Sequence, residues 1–415
     1  MMNPDHRDVS LSFLHEHATT ANRALTTEEK ATLQYIQQLL HTADKILLFL
    51  GGKAGRLGES IVGTALLEGT LQALNACGKA GTPITIFVDA GVAELFDATL
   101  YQHIYWSTIS IMPCTQPPQL EDTTRYRETG KHILLLDFHG AHDGMPFLRI
   151  DTSTPTQTSE QVTTLGHLFR VGVRSFAVRG QERRYADFIE TLFALADGTL
   201  ASEQAQPHIR LSPEDIARDR QLIKQFKLNP QAVRIICFFQ SVVPAKCYEL
   251  WDEVLQPLST YFAQHDPQQK LDFFVACGPD ESLPEGIRKA DMIKWLQDFT
   301  GVNANATVHI AITPSLRDLA ILTAKADLAL ANDTGPAHIA GAVHTPTIVV
   351  FLPGTIYSQQ VWSSTLFHHG VTLDPNPFSY SQIEAAILWG KTHIIDSIPP
   401  QRVYEEIIRH LPEKL

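Results

Sequence analysis

Apolar and polar positions along this chain fall into a repeating rhythm. Short, nearly unbroken apolar runs occupy residues 45–50 (KILLFL), 83–89 (PITIFVD) and 132–138 (HILLLDF), and a segment of helical length fills residues 60–78. Strands that are apolar on both faces belong to parallel sheets with helices on either side. The rhythm resumes at residues 233–239, 271–278, 306–312, 326–333 and 346–352. Two α/β halves are therefore expected. Between them, residues 197–231 turn polar and proline-punctuated, and "LSPEDIARDRQLIKQF" carries a helix start with Ser212 as N-cap and Pro213 at the first helical position. The leading segment 26–44 predicts an amphipathic helix with Leu33, Ile36, Leu39 and Leu40 on one face. Residues 380–415 predict helices broken at Pro399 and Pro400, able to pack on either half. The expected organisation is a helical extension (1–44), a first domain (45–205), a linker with a helix (206–232), a second domain (233–379) and terminal helices (380–415).

Composition sharpens this picture. With 415 residues, 44% hydrophobic and 19% charged, the chain suffices for two cores. No apolar run approaches the ~20 residues a membrane helix needs, and the opening lacks the basic-then-apolar order of a signal peptide. A cytoplasmic protein without a transmembrane segment is expected. The five cysteines are scattered and odd in number, which suits neither a disulfide framework nor a zinc site. A net charge of -12, from 33 basic and 45 acidic residues, argues against a nucleic-acid partner.

The most informative stretch is "ANDTGPAHIAGAVHTPTIVVFLPGT", residues 331–355. An apolar run closes on Asp333 and Thr334, and a helix follows with Pro336 expected as its first residue. In an open parallel sheet ligands bind at such a strand-to-helix turn, where unpaired amides and the helix dipole favour an anion. Gly335 admits a ligand close to the backbone, and His338 adds a donor. The same residues also suit plain helix capping, and both readings stay open on spacing alone.

The turn resembles the signature of glycosyltransferase family 9, the heptosyltransferase-like enzymes: Asp333, Thr334, Gly335 and His338 fill its Asp-Thr/Ser-Gly-x-x-His pattern. The resemblance runs from about Lys45 to about Ser358. It implies a GT-B type α/β fold, with two Rossmann-like α/β/α domains facing each other across a cleft, the second holding the donor. In "FFQSVVPAKCYELWDEVLQPL" (238–258), Lys246 matches the family's phosphate-binding lysine and Ser241 its small hydroxyl residue, while Cys247 and Tyr248 replace the usual aromatic-proline pair. Glu281, after the strand "VACGPDES", matches a position near the ribose and is equally a plain loop acid.

In the first half, "KILLFLGGKAGRLGES" resembles the family's opening strand and glycine loop. It has neither the GxGxxG nor the GxxxxGK[ST] phosphate motif. Glu59 stands where the family places a catalytic aspartate, and its other reading is a first-turn acid answering the helix dipole. Lys53, Arg56, Asp137 and His139 match an acceptor-binding region. Asp137, His139, His142 and Asp143 are too loosely spaced on a glycine loop for a metal site, so no metal is expected. Arg149, Arg174, Arg179, Arg183 and Arg184 suit either an anionic acceptor or plain solvation.

The resemblance implies an inverting, metal-independent transfer of heptose from a nucleotide sugar, with ADP-heptose as donor. The acceptor is a hydroxyl of a glycan, a lipid-linked molecule or a lipopolysaccharide core, and no cofactor is needed. Glu59 takes the acceptor's proton, and Lys246 stabilises the departing diphosphate. Two further readings stand beside it: a non-catalytic sugar-nucleotide-binding protein, and a sugar-nucleotide epimerase or hydrolase.

Overall fold

A computed structural model describes residues 27–50, 57–105, 108–114, 133–137, 149–153, 161–164, 189–196, 198–201, 206–241, 243–266, 268–277, 305–353, 368–373, 377–389 and 394–411. The chain divides into two compact units, Met1–Pro207 and His208–Leu415. Both are α/β, as the apolar rhythm predicts. Among the described residues, no helix is long and apolar enough to cross a membrane.

In the first unit, helix α1 (Thr27–Thr42) leads into β1 (Lys45–Leu50), α2 (Leu57–Ala76), β2 (Ile84–Asp89), α3 (Ala98–Tyr105), β3 (Ile109–Cys114), β4 (Ile133–Asp137), β5 (Arg149–Ser153) and β6 (Gln161–Thr164). The sheet order is β3-β2-β1-β4-β5-β6. Strands β3, β2, β1 and β4 are parallel, with β1 paired to β2 and β4 on its two sides. Helix α2 buries Ile61, Ala65, Leu66, Leu67, Leu71 and Leu74. These positions run nearly all round its axis, as expected of a helix enclosed by its own unit.

One feature departs from the all-parallel expectation. Strands β5 and β6 run antiparallel, with Arg149 opposite Asp137. Only residues 138–148 separate β4 from β5. That is too short for the crossover a parallel partner demands, and the pairing is antiparallel.

The second unit is built from α4 (Pro213–Phe226), β7 (Val233–Phe238), α5 (Trp251–His265), β8 (Leu271–Ala276), β9 (Ala306–Ala311), α6 (Leu316–Ala324), β10 (Leu328–Asn332), α7 (Gly335–Ala342), β11 (Thr347–Val350), β12 (His368–Val371), α8 (Tyr380–Trp389) and α9 (Pro400–His410). All six strands are parallel, in the order β12-β11-β10-β7-β8-β9. Counted from β7, this is the doubly wound order 3-2-1-4-5-6. Alternate residues Val233, Ile235, Cys237 and Phe239 join one apolar cluster with Trp251, Val254, Leu255, Leu258 and Phe262 of α5 and with Val403 and Ile407 of α9. On the other face Phe274 meets Phe226 of α4 edge-on, with ring centroids 5.1 Å apart. The terminal helices thus belong to the second unit.

Residues 206–232, read as a linker with a helix, lie almost wholly in this unit. Ser212 and Asp215 form a reciprocal capping box: the Asp215 amide donates to Ser212 Oγ at 3.3 Å and the Ser212 amide to Asp215 Oδ2 at 2.6 Å. Helix α4 is then bolted to α6. Arg218 donates to both carboxylate oxygens of Asp318, at 2.8 and 2.9 Å, and Arg317 reaches Asp215 at 2.5 Å and the Arg210 carbonyl at 2.8 Å. Burial alone would raise the Asp215 carboxyl's pKa, but the hydrogen bonds from Arg317 and Ser212 outweigh it and hold the group below the usual aspartate value.

Candidate functional site

Strands β7 and β10 are neighbours, yet the helices that follow them, α5 and α7, lie on opposite faces of the sheet. α5 joins the apolar cluster with Ile235, and α7 packs on β10 and β11 from the side of the alternate residues. The carboxyl ends of β7 and β10 are therefore the topological switch point, the place where doubly wound sheets bind ligands. Both candidate loops of the second unit lie there.

Beyond β7, a single 3-10 turn at Pro244–Lys246 ends in Lys246. Beyond β10, Asp333 precedes α7. Lys246 Nζ lies 2.6 Å from Asp333 Oδ2, and the side chains are 29% and 7% exposed. The lysine is thus accessible to a ligand, while its carboxylate partner is buried at the start of α7. Thr334 is the N-cap of α7, with extended backbone angles and no side-chain capping hydrogen bond. Its hydroxyl is therefore not spent on the capping role that was the plain alternative. Helix α7 starts one residue earlier than the sequence suggests, at Gly335, so Pro336 is its second residue. The amide of that position also lacks an intrahelical partner, and proline costs nothing there. His338 is buried in the same helix.

Ser241 is buried, and its Oγ accepts the Val243 amide at 3.2 Å, which leaves its own O–H to donate elsewhere. Cys247 closes the loop by directing Sγ at the Ser241 carbonyl, 3.7 Å away. Burial raises the Cys247 thiol's pKa, so it is no nucleophile at neutral pH.

Sequence reasoning missed the scaffold under this pair. Asn332, the last residue of β10, is fully buried. Its Nδ2 donates to the Phe239 carbonyl at 2.7 Å, and its Oδ1 accepts from Trp251 Nε1 at 3.0 Å and from the Tyr248 amide at 3.3 Å. Trp251 stacks on Phe239, with centroids 4.6 Å apart. Tyr248, at the position where the family resemblance leads one to expect a proline, is buried and donates its hydroxyl to the Ile398 carbonyl at 2.9 Å. Burial, reinforced by Asp396, raises the phenol's pKa and keeps that donor proton in place. Asp396 Oδ1 in turn accepts the Glu249 amide at 2.8 Å. The one legible signal was a polar residue closing the apolar run "LALAN".

In the first unit, Glu59 lies in the first turn of α2, and its side chain falls outside the described residues. Asp137 ends β4, opposite Phe49 of β1 in register, and its side chain is likewise outside them. The ends of β1 and β4 form this unit's own switch point, since β2 lies to one side of β1 and β4 to the other. Lys53, Arg56, His139 and Glu281 lie outside the described residues, as do His142, Asp143 and the arginines at 174, 179, 183 and 184. Among the described residues, no group of three or more His, Cys, Asp or Glu could hold a metal ion.

Residues 174–376 match the model of glycosyltransferase family 9 (heptosyltransferase), and they include both loops of the switch point. That stretch is thus similar to a family 9 glycosyltransferase domain. A glycosyl transferase family 9 structure from Veillonella parvula is 14% identical, covers 89% of this chain and 98% of its own, and superposes with a TM-score of 0.55; it shares the GT-B type α/β fold. Also similar are the E. coli ADP-heptose lps heptosyltransferase II (14% identity, 88% of this chain and 98% of that one, TM-score 0.46) and the E. coli heptosyltransferase WaaC with ADP (12%, 82% and 97%, 0.42). No curated protein matches the chain.

Proposed function

We propose that this protein is an inverting glycosyltransferase that moves a heptose from a nucleotide-activated donor, ADP-heptose, to a hydroxyl of a glycan or lipopolysaccharide-core acceptor. The observation that carries the reading is the Lys246–Asp333 pair at the switch point of the family 9 domain. Heptose as the sugar rests on the family's description, and ADP as the nucleotide on the resemblance of the sequence to that family. In this reading the donor's diphosphate lies against the start of α7, with Lys246, Ser241, Thr334 and the amide of Gly335 around it and Asp333 and His338 facing the sugar. Glu281 binds the ribose.

Transfer expels a nucleoside diphosphate, so negative charge grows on the leaving oxygen as the glycosidic bond breaks. A lysine ammonium and helix-terminal amides already in position stabilise that charge without reorganising, and the reaction then needs no metal. Glu59 takes the proton of the acceptor hydroxyl as its oxygen attacks the anomeric carbon from the opposite face, which inverts the centre. Lys53, Arg56, Asp137 and His139 orient the acceptor. The donor pool of this reading is cytoplasmic.

Thermal unfolding in a panel of ADP-, GDP- and UDP-linked sugars tests the donor assignment, because a ligand that binds only the folded state raises the melting temperature by mass action. ADP-heptose is expected to give the largest rise. The absence of any shift across the panel would overturn the reading. Mass analysis of products then separates transfer from hydrolysis or epimerisation, and unchanged turnover in chelator tests the metal-free step.

A further inference from the structure

We infer that Asn332 is a positioning residue that holds Lys246 and Asp333 in their paired geometry, an inference that rests on the donor-site reading above. Strand register sets β7 and β10 side by side, with Ala331 opposite Phe238. The next residue of β10 is therefore level with the start of the loop that leaves β7. From there Asn332 binds both ends of the segment carrying Ser241 and Lys246: the Phe239 carbonyl before it and the Tyr248 amide after it. A third bond, from Trp251 Nε1, fixes the start of α5. Asp333 is covalently next. One fully buried side chain thus locates the lysine's loop and the aspartate's backbone together.

The amide's orientation is determined by its partners. Two N–H donors converge on one end and a carbonyl on the other, so exchanging oxygen and nitrogen would set donor against donor. Three of the four hydrogen bonds an asparagine can form are made in a place without solvent, where an unmade one is costly. No purely apolar residue supplies a donor or an acceptor there, and a single hydroxyl cannot offer the separate donor and acceptor ends of an amide. An aspartate keeps the acceptor for Tyr248 and Trp251 but sets a carboxylate oxygen against the Phe239 carbonyl. Lys246 and Asp333 each have freedom of their own, and a loop that shifts by a fraction of an ångström at Tyr248 carries the ammonium away from the carboxylate.

The test reads Lys246 itself. Wild-type protein, Asn332→Ala, Asn332→Asp and Asp333→Asn are acylated briefly with an amine reagent, and each lysine is quantified by peptide mass spectrometry, with the exposed Lys224 and Lys325 as controls. In both Asn332 variants Lys246 should react several-fold faster than in wild type, approaching Asp333→Asn, while the controls keep their rates. ADP affinity, measured by calorimetry, should fall about tenfold, the scale of one charge-assisted hydrogen bond. Should Asn332→Ala not fold, the near-isosteric Asn332→Asp carries the comparison. Wild-type Lys246 reactivity and ADP affinity in the Asn332 variants, alongside weakened ADP binding in Lys246→Ala, would overturn the positioning role alone. A parallel rise at Lys224 and Lys325 would mean a merely structural asparagine and would overturn it too. ADP binding unchanged in Lys246→Ala would instead remove the donor-site reading beneath it.

Discussion

Tyr248 donates its hydroxyl to the main-chain oxygen of Ile398 across 2.9 Å, so the residue two places beyond Lys246 is held by the C-terminal segment. The terminal helices therefore do more than cover the sheet: their leading turn, through Ile398 and Asp396, clasps the loop that carries the lysine. Tyr248→Phe keeps the ring and removes only the donor. It should cost the second unit about 1 kcal/mol, the usual worth of a buried hydrogen bond. That corresponds to a fall in melting temperature of roughly 2–4 °C for a unit of this size. Scanning calorimetry checks it, and an unchanged transition would show that the clasp is not tight.

Lys246→Ala removes the one cation seen at the switch point among the described residues there and leaves the buried Asp333 carboxylate without its partner. ADP affinity should drop roughly tenfold to a hundredfold, as expected for losing a charge-assisted contact to a phosphate. Asp333→Ala should weaken binding of the complete sugar nucleotide more than it weakens ADP, because its carboxylate faces the sugar in the proposed complex. Titration calorimetry with ADP and ADP-heptose separates the two variants, and wild-type affinities in both would remove this turn from the donor site.

Glu59→Gln preserves shape and hydrogen-bonding reach while abolishing proton acceptance. Transfer should slow about a hundredfold or more, the scale of one general base, with donor affinity intact. Single-turnover assays with a competent acceptor provide the measurement. A turnover equal to wild type would assign the proton to another group.

Acid should weaken the second unit through His208. Its ring meets His344 edge-on at 4.5 Å. Burial first, then the charges of Arg210 and His344, lower its pKa from 6.5 to about 3. The unfolded chain therefore takes up a proton at pH 5 that the folded chain refuses, and stability falls as pH drops from about 6.5 toward 3. The slope for a single proton cannot exceed about 1.4 kcal/mol per pH unit. His208→Gln should lose less stability than wild type between pH 7.5 and pH 5 in urea titrations. Parallel losses would exonerate this histidine.

Much of the fold was legible because strands buried on both faces must be apolar throughout. Residues 45–50 were read as a strand and form β1 over the same span, and 233–239 nearly coincides with β7. Strands β3, β5, β6 and β12 escaped notice. "ISIMPC", "RIDTS", "QVTT" and "HHGV" mix polar residues into their runs, as strands away from the middle of a sheet can, and so carry no continuous apolar signature. The capping box at Ser212 was readable because its partners lie three residues apart and need nothing from the rest of the chain.

The candidate site divides along the same line. The chain by itself determined the chemistry on offer: Asp333, Thr334 and Gly335 at a strand-to-helix turn, and Lys246 after a strand, because local spacing sets what a turn presents. Only the tertiary structure decided that Lys246 and Asp333 meet at 2.6 Å, that Asn332 ties their loops together, and that the C-terminal segment clasps Tyr248. These contacts join positions far apart in the chain through parallel pairing of β7 with β10. Pairing between distant segments is selected by the burial of whole surfaces, which no short stretch of sequence encodes.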